Sequence, residues 1–331
     1  MKLLTLAKEP PDNPASWDGL KRFARYEVTP IDHDYAGKTP AMWNAVHRAF
    51  GMDAAMAMVV GNPTDAAAIV DAFRSDPKYV GGGSGSGFKE RVYKLLDEIT
   101  PLARAMGAVN IIKKLPSGKL LGDNTDGVGY ARSLEKILSE QRKILNGAKV
   151  MILGAGGTGR SIAFALGEMG AQLTILNRTE EKATDLAQAL NAYFGKATAR
   201  GGGRQLIEEL LPQQDAVVST VDDAHSPLDV YSTLGLMGLP VTSESIRKNE
   251  EEVARLLGSA KTSLIVSDIR LRKEETPMLR QAHELGFKIL NGVPMVVNQG
   301  VAAFWWMYQN ELEALGIEIT DIEDIMWQVV Q

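Results

Sequence analysis

Lys89 closes a run of glycines and serines, GGGSGSGFK at 81–89, and Asp126 sits inside LLGDNTDGVGY at 120–130. An amine and a carboxylate of this kind can share a proton beside a reacting hydroxyl. The ordinary lysine pKa is about 10.4, so action as a base near neutrality requires burial or nearby cations to lower it. A carboxylate beside it raises the amine instead, yet holds and orients the ammonium in a shared proton network. The four histidines, His33, His47, His225 and His283, stand in no spacing that suggests a general base or a metal site. The lysine is therefore the more informative candidate. Its glycine–serine approach has two readings: a flexible surface loop, or backbone left bare for a small ligand.

A second set of residues reads as an anion site. GAGGTG at 154–159 fits G-x-G-x-x-G. It follows an apolar strand, AKVMILG (148–154), and opens a helix, GTGRSIAFALGEMG (157–170), which is the context the pattern needs. Gly154, Ala155, Gly156, Gly157, Thr158 and Gly159 would then wrap a pyrophosphate at the helix N-terminus, where free N–H groups favour anions. The next strand, QLTILN (172–177), lacks the terminal acid that would bind the ribose 2′-hydroxyl of NAD. Asn177, Arg178 and Thr179 stand there, with Lys182 one turn on. An acid repels a 2′-phosphate, whereas an arginine binds it by charge-assisted hydrogen bonds. The cofactor reading is NADP.

These groups need a scaffold. From Phe23 onward, helix-like and strand-like segments alternate. AMWNAVHRAFG (41–51) has a helical apolar face, and AMAMVV (55–60) reads as a buried strand. Thr64 is placed to cap the helix DAAAIVDAFRS. FKERVYKLLDEI (88–99) reads as a helix, AVNIIKKL as a strand, and GKLLGDNTDG as strand and turn. A second series follows from residue 147, with strands at 148–154, 172–177, 215–220, 262–268 and 287–292. Asp126 has a further reading, as the cap of a helix beginning GVGYARSLEKIL. Residues before about 20, with Pro10, Pro11 and Pro14, read as an irregular lead-in; 200–212 and 222–260 are the least legible. The expected class is α/β, with parallel sheet covered on both faces. A length of 331 residues suits two such domains.

Composition narrows the function. The net charge of −5 predicts no nucleic-acid face, and the absence of cysteine excludes thiolate nucleophiles, disulfides and cysteine-based zinc sites. No metal site is expected. No apolar stretch approaches the ~20 residues of a membrane span, and the N-terminus lacks a signal-peptide core. A soluble cytoplasmic protein is the expectation.

Taken together, the motifs resemble those of the shikimate/quinate dehydrogenases. GAVNII (107–112) with LLGDNTDGVGY is similar to the most characteristic pair in that family; TPAMWNAVHRAF (39–50) resembles its N-terminal substrate segment, and NRTEEKA (177–183) its NADP signature. VSDIRLRKEETPMLRQAHELGFKILNGVPMVVNQG (266–300) matches its C-terminal segment in spacing, and the likeness runs from about residue 30 to 310. The resemblance implies a substrate domain at 1–126, completed by 294–331, and a Rossmann NADP domain at 127–293, with the active site between them. It implies Lys89 and Asp126 as the catalytic pair. Asn110 and Gln299 would bind substrate hydroxyls, and Thr39 the substrate carboxylate. Gly292 and Met295 would lie near the nicotinamide, and Thr220 and Val221 along the cofactor.

The chain departs from the family's pattern in its substrate shell. Asn-Val-Thr-x-Pro-x-Lys becomes GSGSGFK (83–89), placing Gly85 at the threonine that would contact substrate and Gly87 at the proline, with Ser84 or Ser86 as the implied source of the hydroxyl instead. Gly37 replaces the first serine of Ser-x-Ser, Trp43 a histidine, and Leu271 a tyrosine. The implied function is reversible hydride transfer between NADP(H) and a ring alcohol or ketone of a polyhydroxylated cyclic acid such as 3-dehydroshikimate, in aromatic amino acid biosynthesis. The alternatives are a divergent enzyme acting on quinate or another hydroxy acid, and a non-catalytic NADP- or shikimate-sensing module. Expected partners are the small substrate and, as one option, a second copy in a homodimer, with no nucleic acid or membrane.

Overall fold

The apolar runs build two separate sheets. The structure, a computed structural model, describes residues 3–222, 225–229, 242–272 and 274–330. The chain divides into two units, Met1–Gly129 with Val296–Gln331, and Tyr130–Met295. The helices Asp126–Glu140 and Gly292–Ala314 carry it from one unit to the other.

The first unit has seven strands: β1 (Leu4–Leu6), β2 (Arg25–Ile31), β3 (Ala54–Gly61), β4 (Tyr79–Gly83), β5 (Glu98–Ile99), β6 (Ile111–Lys114) and β7 (Leu120–Asp123). Their order is β1-β3-β2-β4-β6-β7-β5. Only β3, β2 and β4, and the β5–β7 pair, run parallel. The all-parallel expectation fails here because β6 and β7 form a hairpin, closed where the Leu115 N–H donates to the Lys119 carbonyl at 2.8 Å. The lead-in is not irregular either. β1 pairs antiparallel with β3, and Ser16 caps a short helix, Trp17–Leu20.

The first three glycines of the run lie in a strand, and residues 84–88 form the turn that leads into Lys89. Gly81, Gly82 and Gly83 pair with Lys113, Ile112 and Ile111 of β6, and Gly81 also with Glu27 of β2. At Gly82, φ is +132° and a Cβ would stand 2.4 Å from the Val28 carbonyl oxygen. The neighbouring backbone therefore demands the glycine, and the reading of bare backbone kept open for a ligand does not apply there. The helix expected over 88–99 stops at Tyr93 (Lys89–Tyr93). Beyond it the Asp97 carboxylate accepts the Leu120 N–H at 2.8 Å, drawing the chain onto β7 as β5. A further helix, Pro101–Met106, is capped by Thr100 and was not anticipated. Thr64 caps nothing. Asn62 accepts the Thr64 N–H at 3.0 Å and starts a single turn ahead of the helix Ala66–Ser75.

Alternation along β3 sends its residues into two cores. Ala55, Ala57 and Val59 pack with Tyr26, Val28, Phe73 and Phe88. Met56 packs with Met42, Trp43 and Ile111 beneath Val297, Val301 and Phe304 of Gly292–Ala314. Glu27 is fully buried in this unit. Its carboxylate accepts from the Tyr308 hydroxyl, and His47 Nε2 lies 3.2 Å away, which answers the cost of burying a charge.

The second unit has six parallel strands: β8 (Lys149–Leu153), β9 (Gln172–Asn177), β10 (Ala199–Gly203), β11 (Ala216–Ser219), β12 (Ile265–Asp268) and β13 (Lys288–Leu290). Their order, β10-β9-β8-β11-β12-β13, is that of the doubly wound dinucleotide fold, with its switch point between β8 and β11. The poorly legible stretches hold β10 and the helix Ser243–Gly258, while 223–224 and 230–241 lie outside the described residues. Among the described residues no helix is long and apolar enough to cross a membrane.

Candidate functional site

Lys89 begins its short helix directly after β4, with buried Phe88 anchoring the turn. Its Nζ donates to Asp126 Oδ2 at 2.5 Å. Asp126 opens the helix Asp126–Glu140, where its N–H donates to Asn124 Oδ1 at 3.2 Å. The carboxylate of Asp126 turns to side chains: Oδ1 accepts from Asn110 Nδ2 at 2.7 Å while Oδ2 takes Lys89. Asn110 is held in turn, its Oδ1 accepting the Thr125 N–H at 2.8 Å. Gln299 Oε1 lies 3.3 Å from Asn110 Nδ2, and Gln299 Nε2 donates to the Val296 carbonyl at 3.2 Å. Four residues separated by up to 210 positions thus form one network inside the first unit, with Asp126 nearly enclosed and Lys89 a third exposed.

Other residues expected around the substrate are placed differently. Ser84 is buried, its hydroxyl has no hydrogen-bond partner, and its N–H donates to the Asn110 carbonyl at 2.7 Å. Ser86 is exposed, and its hydroxyl bonds the Asp32 carboxylate. Thr39 starts the helix Thr39–Ala49, half-buried. Asn44, in the same segment, bonds Met56 N–H and carbonyl at 2.7 and 3.1 Å, which is a packing role.

Sequence reasoning missed Asp32 and Tyr35. Burial opposes ionisation of Asp32, but the His33 ring and the Ser86 hydroxyl hold its carboxyl below the ordinary range. Desolvation, then the Asp126 and Asp32 carboxylates, push the Tyr35 phenol above its ordinary value. No spacing rule signals these residues: the Asp32 N–H donates to the Ser86 carbonyl at 3.2 Å, so it is the fold that lays this segment beside the chain leading into Lys89.

In the second unit a groove of about 350 Å³ opens at the switch point, lined by Gly154, Ala155, Gly156, Asn177, Arg178, Thr179, Lys182, Thr220 and Val221. Leu153, Leu176, Asp222 and Pro227 complete it. Gly154 has φ +114°, and a Cβ there would strike Thr220 Oγ1 at 2.6 Å; a Cβ on Gly159 would strike the Gly154 carbonyl at 2.3 Å. A Cβ on Gly156 would meet nothing within 4 Å, so the backbone there is bare enough for a phosphate to come close. Thr220 braces the turn, its hydroxyl donating to the Leu153 carbonyl at 3.1 Å. Gly157 and Thr158 begin the helix Gly157–Glu168, which has no side-chain cap and leaves its first N–H groups for an anion. Asn177 Oδ1 is 3.4 Å from the Ala155 N–H. Arg178 and Lys182 line the groove beyond the end of β9 and make it cationic there, the chemistry a 2′-phosphate needs. Gly292 and Met295 are not among the groove's lining. Gly292 packs where a Cβ would meet the Ile269 carbonyl at 2.1 Å.

Known proteins share this pattern. Residues 29–112 match the family model for the shikimate dehydrogenase substrate binding domain, and 136–229 that for shikimate/quinate 5-dehydrogenase. The chain is 34% identical over 300 residues to the shikimate dehydrogenase (NADP(+)) of Methanosarcina acetivorans, covering 86% of this chain and 92% of that one. It is 34% identical over 278 residues to the enzyme of the same name from Desulfitobacterium hafniense, covering 83% and 89%. Among solved structures, shikimate dehydrogenase from Aquifex aeolicus superposes with a TM-score of 0.69 at 26% identity, covering 94% of this chain and 98% of that one. The 5-ketofructose reductase of a Gluconobacter species gives 0.68 at 26% identity, covering 92% and 99%.

Proposed function

The chain belongs to the shikimate/quinate dehydrogenase family, and from that premise we propose that it is an NADP-dependent shikimate dehydrogenase, interconverting 3-dehydroshikimate and shikimate. In this assignment the first unit binds the cyclic acid and the second unit binds NADP. The observation that carries the reading is the Lys89–Asp126 pair at 2.5 Å, fixed from behind by Asn110. A sensing module needs no such pair.

NADPH, when bound, supplies hydride to the ring carbonyl carbon. The chain's own residues handle the proton. In the reducing direction the Lys89 ammonium, held by Asp126, donates a proton to the oxygen as the alcohol forms. In the oxidising direction neutral Lys89 takes the hydroxyl proton back. Asp126 keeps the amine in place and balances its charge. Asn110 has its amide engaged by Asp126, Thr125 and Gln299, so it positions the carboxylate. Gln299 retains a free amide hydrogen for a substrate hydroxyl. Arg178 and Lys182 would hold the 2′-phosphate, and the turn at 154–159 would take the pyrophosphate.

The test is NADP reduction by the purified protein with shikimate, quinate and related hydroxy acids. Turnover with shikimate and NADP, far above that with NAD, is expected. Absence of turnover with shikimate, alongside turnover of another acid, would overturn the substrate assignment.

A further inference from the structure

Between β2 and the helix Thr39–Ala49 the chain carries a tyrosine that the proposed reaction leaves unused. It lies where the substrate shell departs from the family's pattern. A side chain at Gly37 would have its Cβ 3.2 Å from Tyr35 Cε2 and 2.6 Å from Met58 Sδ. The space that a serine at 37 would fill is therefore already taken by the Tyr35 ring and the end of Met58. The surrounding turn is fixed. The Asp32 N–H donates to the Ser86 carbonyl at 3.2 Å, and the Gly85 N–H to the Pro30 carbonyl at 3.0 Å. The chain leaving β2 thus runs beside the chain that leads from β4 into Lys89. The His33 ring packs against Tyr35 with centroids 5.4 Å apart, and His33 Nδ1 lies 2.7 Å from Asp32 Oδ1. Tyr35 is still 37% exposed. It lies in the field of Asp126, the carboxylate that holds Lys89.

We propose that Tyr35 is a substrate-contacting residue whose phenol hydroxyl binds a ring hydroxyl of the cyclic acid, replacing the side-chain hydroxyl absent at position 37. The inference rests on the shikimate reading above. The phenol is an uncharged donor and acceptor, so a neutral ring hydroxyl is the partner that fits. The raised phenol stays protonated through the neutral range and can both donate to that hydroxyl and accept from it.

The test compares wild type with Tyr35→Phe, which keeps the ring and its packing on His33. Steady-state kinetics with NADP and equilibrium binding are measured for shikimate and for analogues each lacking one ring hydroxyl. The expected result is a rise in shikimate KM and Kd of roughly five- to tenfold, with kcat and the NADP KM within about twofold. One deoxy analogue should bind wild type and variant alike, since the partner hydroxyl is already gone. Equal shikimate Kd in the two proteins overturns the inference, and so does a loss that persists undiminished for every analogue, which marks a structural role. A wild type that neither oxidises nor binds shikimate shows instead that the functional reading has failed, and the Tyr35 contact falls with it.

Discussion

Asp126 has each carboxylate oxygen bonded to a different side chain, Lys89 on one and Asn110 on the other, and this division of labour can be tested residue by residue. Lys89→Ala should lower kcat by about 10²–10⁴, leaving the NADP KM and the melting temperature nearly unchanged, because Asp126 keeps its bond to Asn110. Steady-state kinetics and thermal denaturation read both quantities. Arg178→Ala should raise the NADP KM by roughly ten- to a hundredfold through loss of a charge-assisted phosphate contact, with the NAD KM unmoved; equal loss with both nucleotides would remove the 2′-phosphate role. Lys89, Asp126, Asn110 and Gln299 were legible in the sequence because each sits in a recognisable motif, though nothing in their spacing says that they touch. Asp32 and Tyr35 were not legible. Their neighbours are set by which strand exits lie side by side.

At the level of elements, the glycine run shows how a compositional rule misleads. Seven glycines and serines suggest a linker, but Gly82 is pinned against β2 by backbone contact. Gly82→Ala should destabilise the protein by about 2–4 kcal/mol, since the methyl meets the Val28 backbone and φ is +132°. Urea denaturation measures it, and a change below about 0.5 kcal/mol would contradict the packing described. The strand–turn–helix at 148–170 was readable because its local signals agree. β5 was not, since tertiary pairing with β7 overrides a helical pattern. Just before β11, Asp215 accepts the Lys149 N–H at 3.0 Å and the Lys143 and Lys261 ammonium groups at 3.0 Å each. Burial would raise its pKa, but these three donors outweigh burial and hold it below the ordinary aspartate value. A depressed folded-state pKa stabilises the fold above the unfolded value of about 3.9, and that stability is lost as pH falls through the folded value. Asp215→Asn should therefore lower the melting temperature at neutral pH and flatten its decline below about pH 4, as thermal scans across pH would show.

For the whole molecule, the two units draw on the chain unequally. The second is continuous, Tyr130–Met295, while the first needs both Met1–Gly129 and Val296–Gln331. A fragment of residues 130–295 should unfold cooperatively and bind NADP with the affinity of the full chain. Residues 1–129 alone should bind a hydrophobic dye and lack a sharp transition, because Met42, Trp43, Met56 and Ile111 have lost Val297, Val301 and Phe304 from their core. Calorimetry on both fragments distinguishes these outcomes. The same division sets an order of events at the ribosome. Domains ordinarily mature from the N-terminus as they are synthesised; here the leading segment is born first and finished last. Its sheet waits with one greasy side uncovered while the entire middle of the polypeptide is translated, and chaperone capture during that interval is the expected cost of stitching one body from two distant stretches of message.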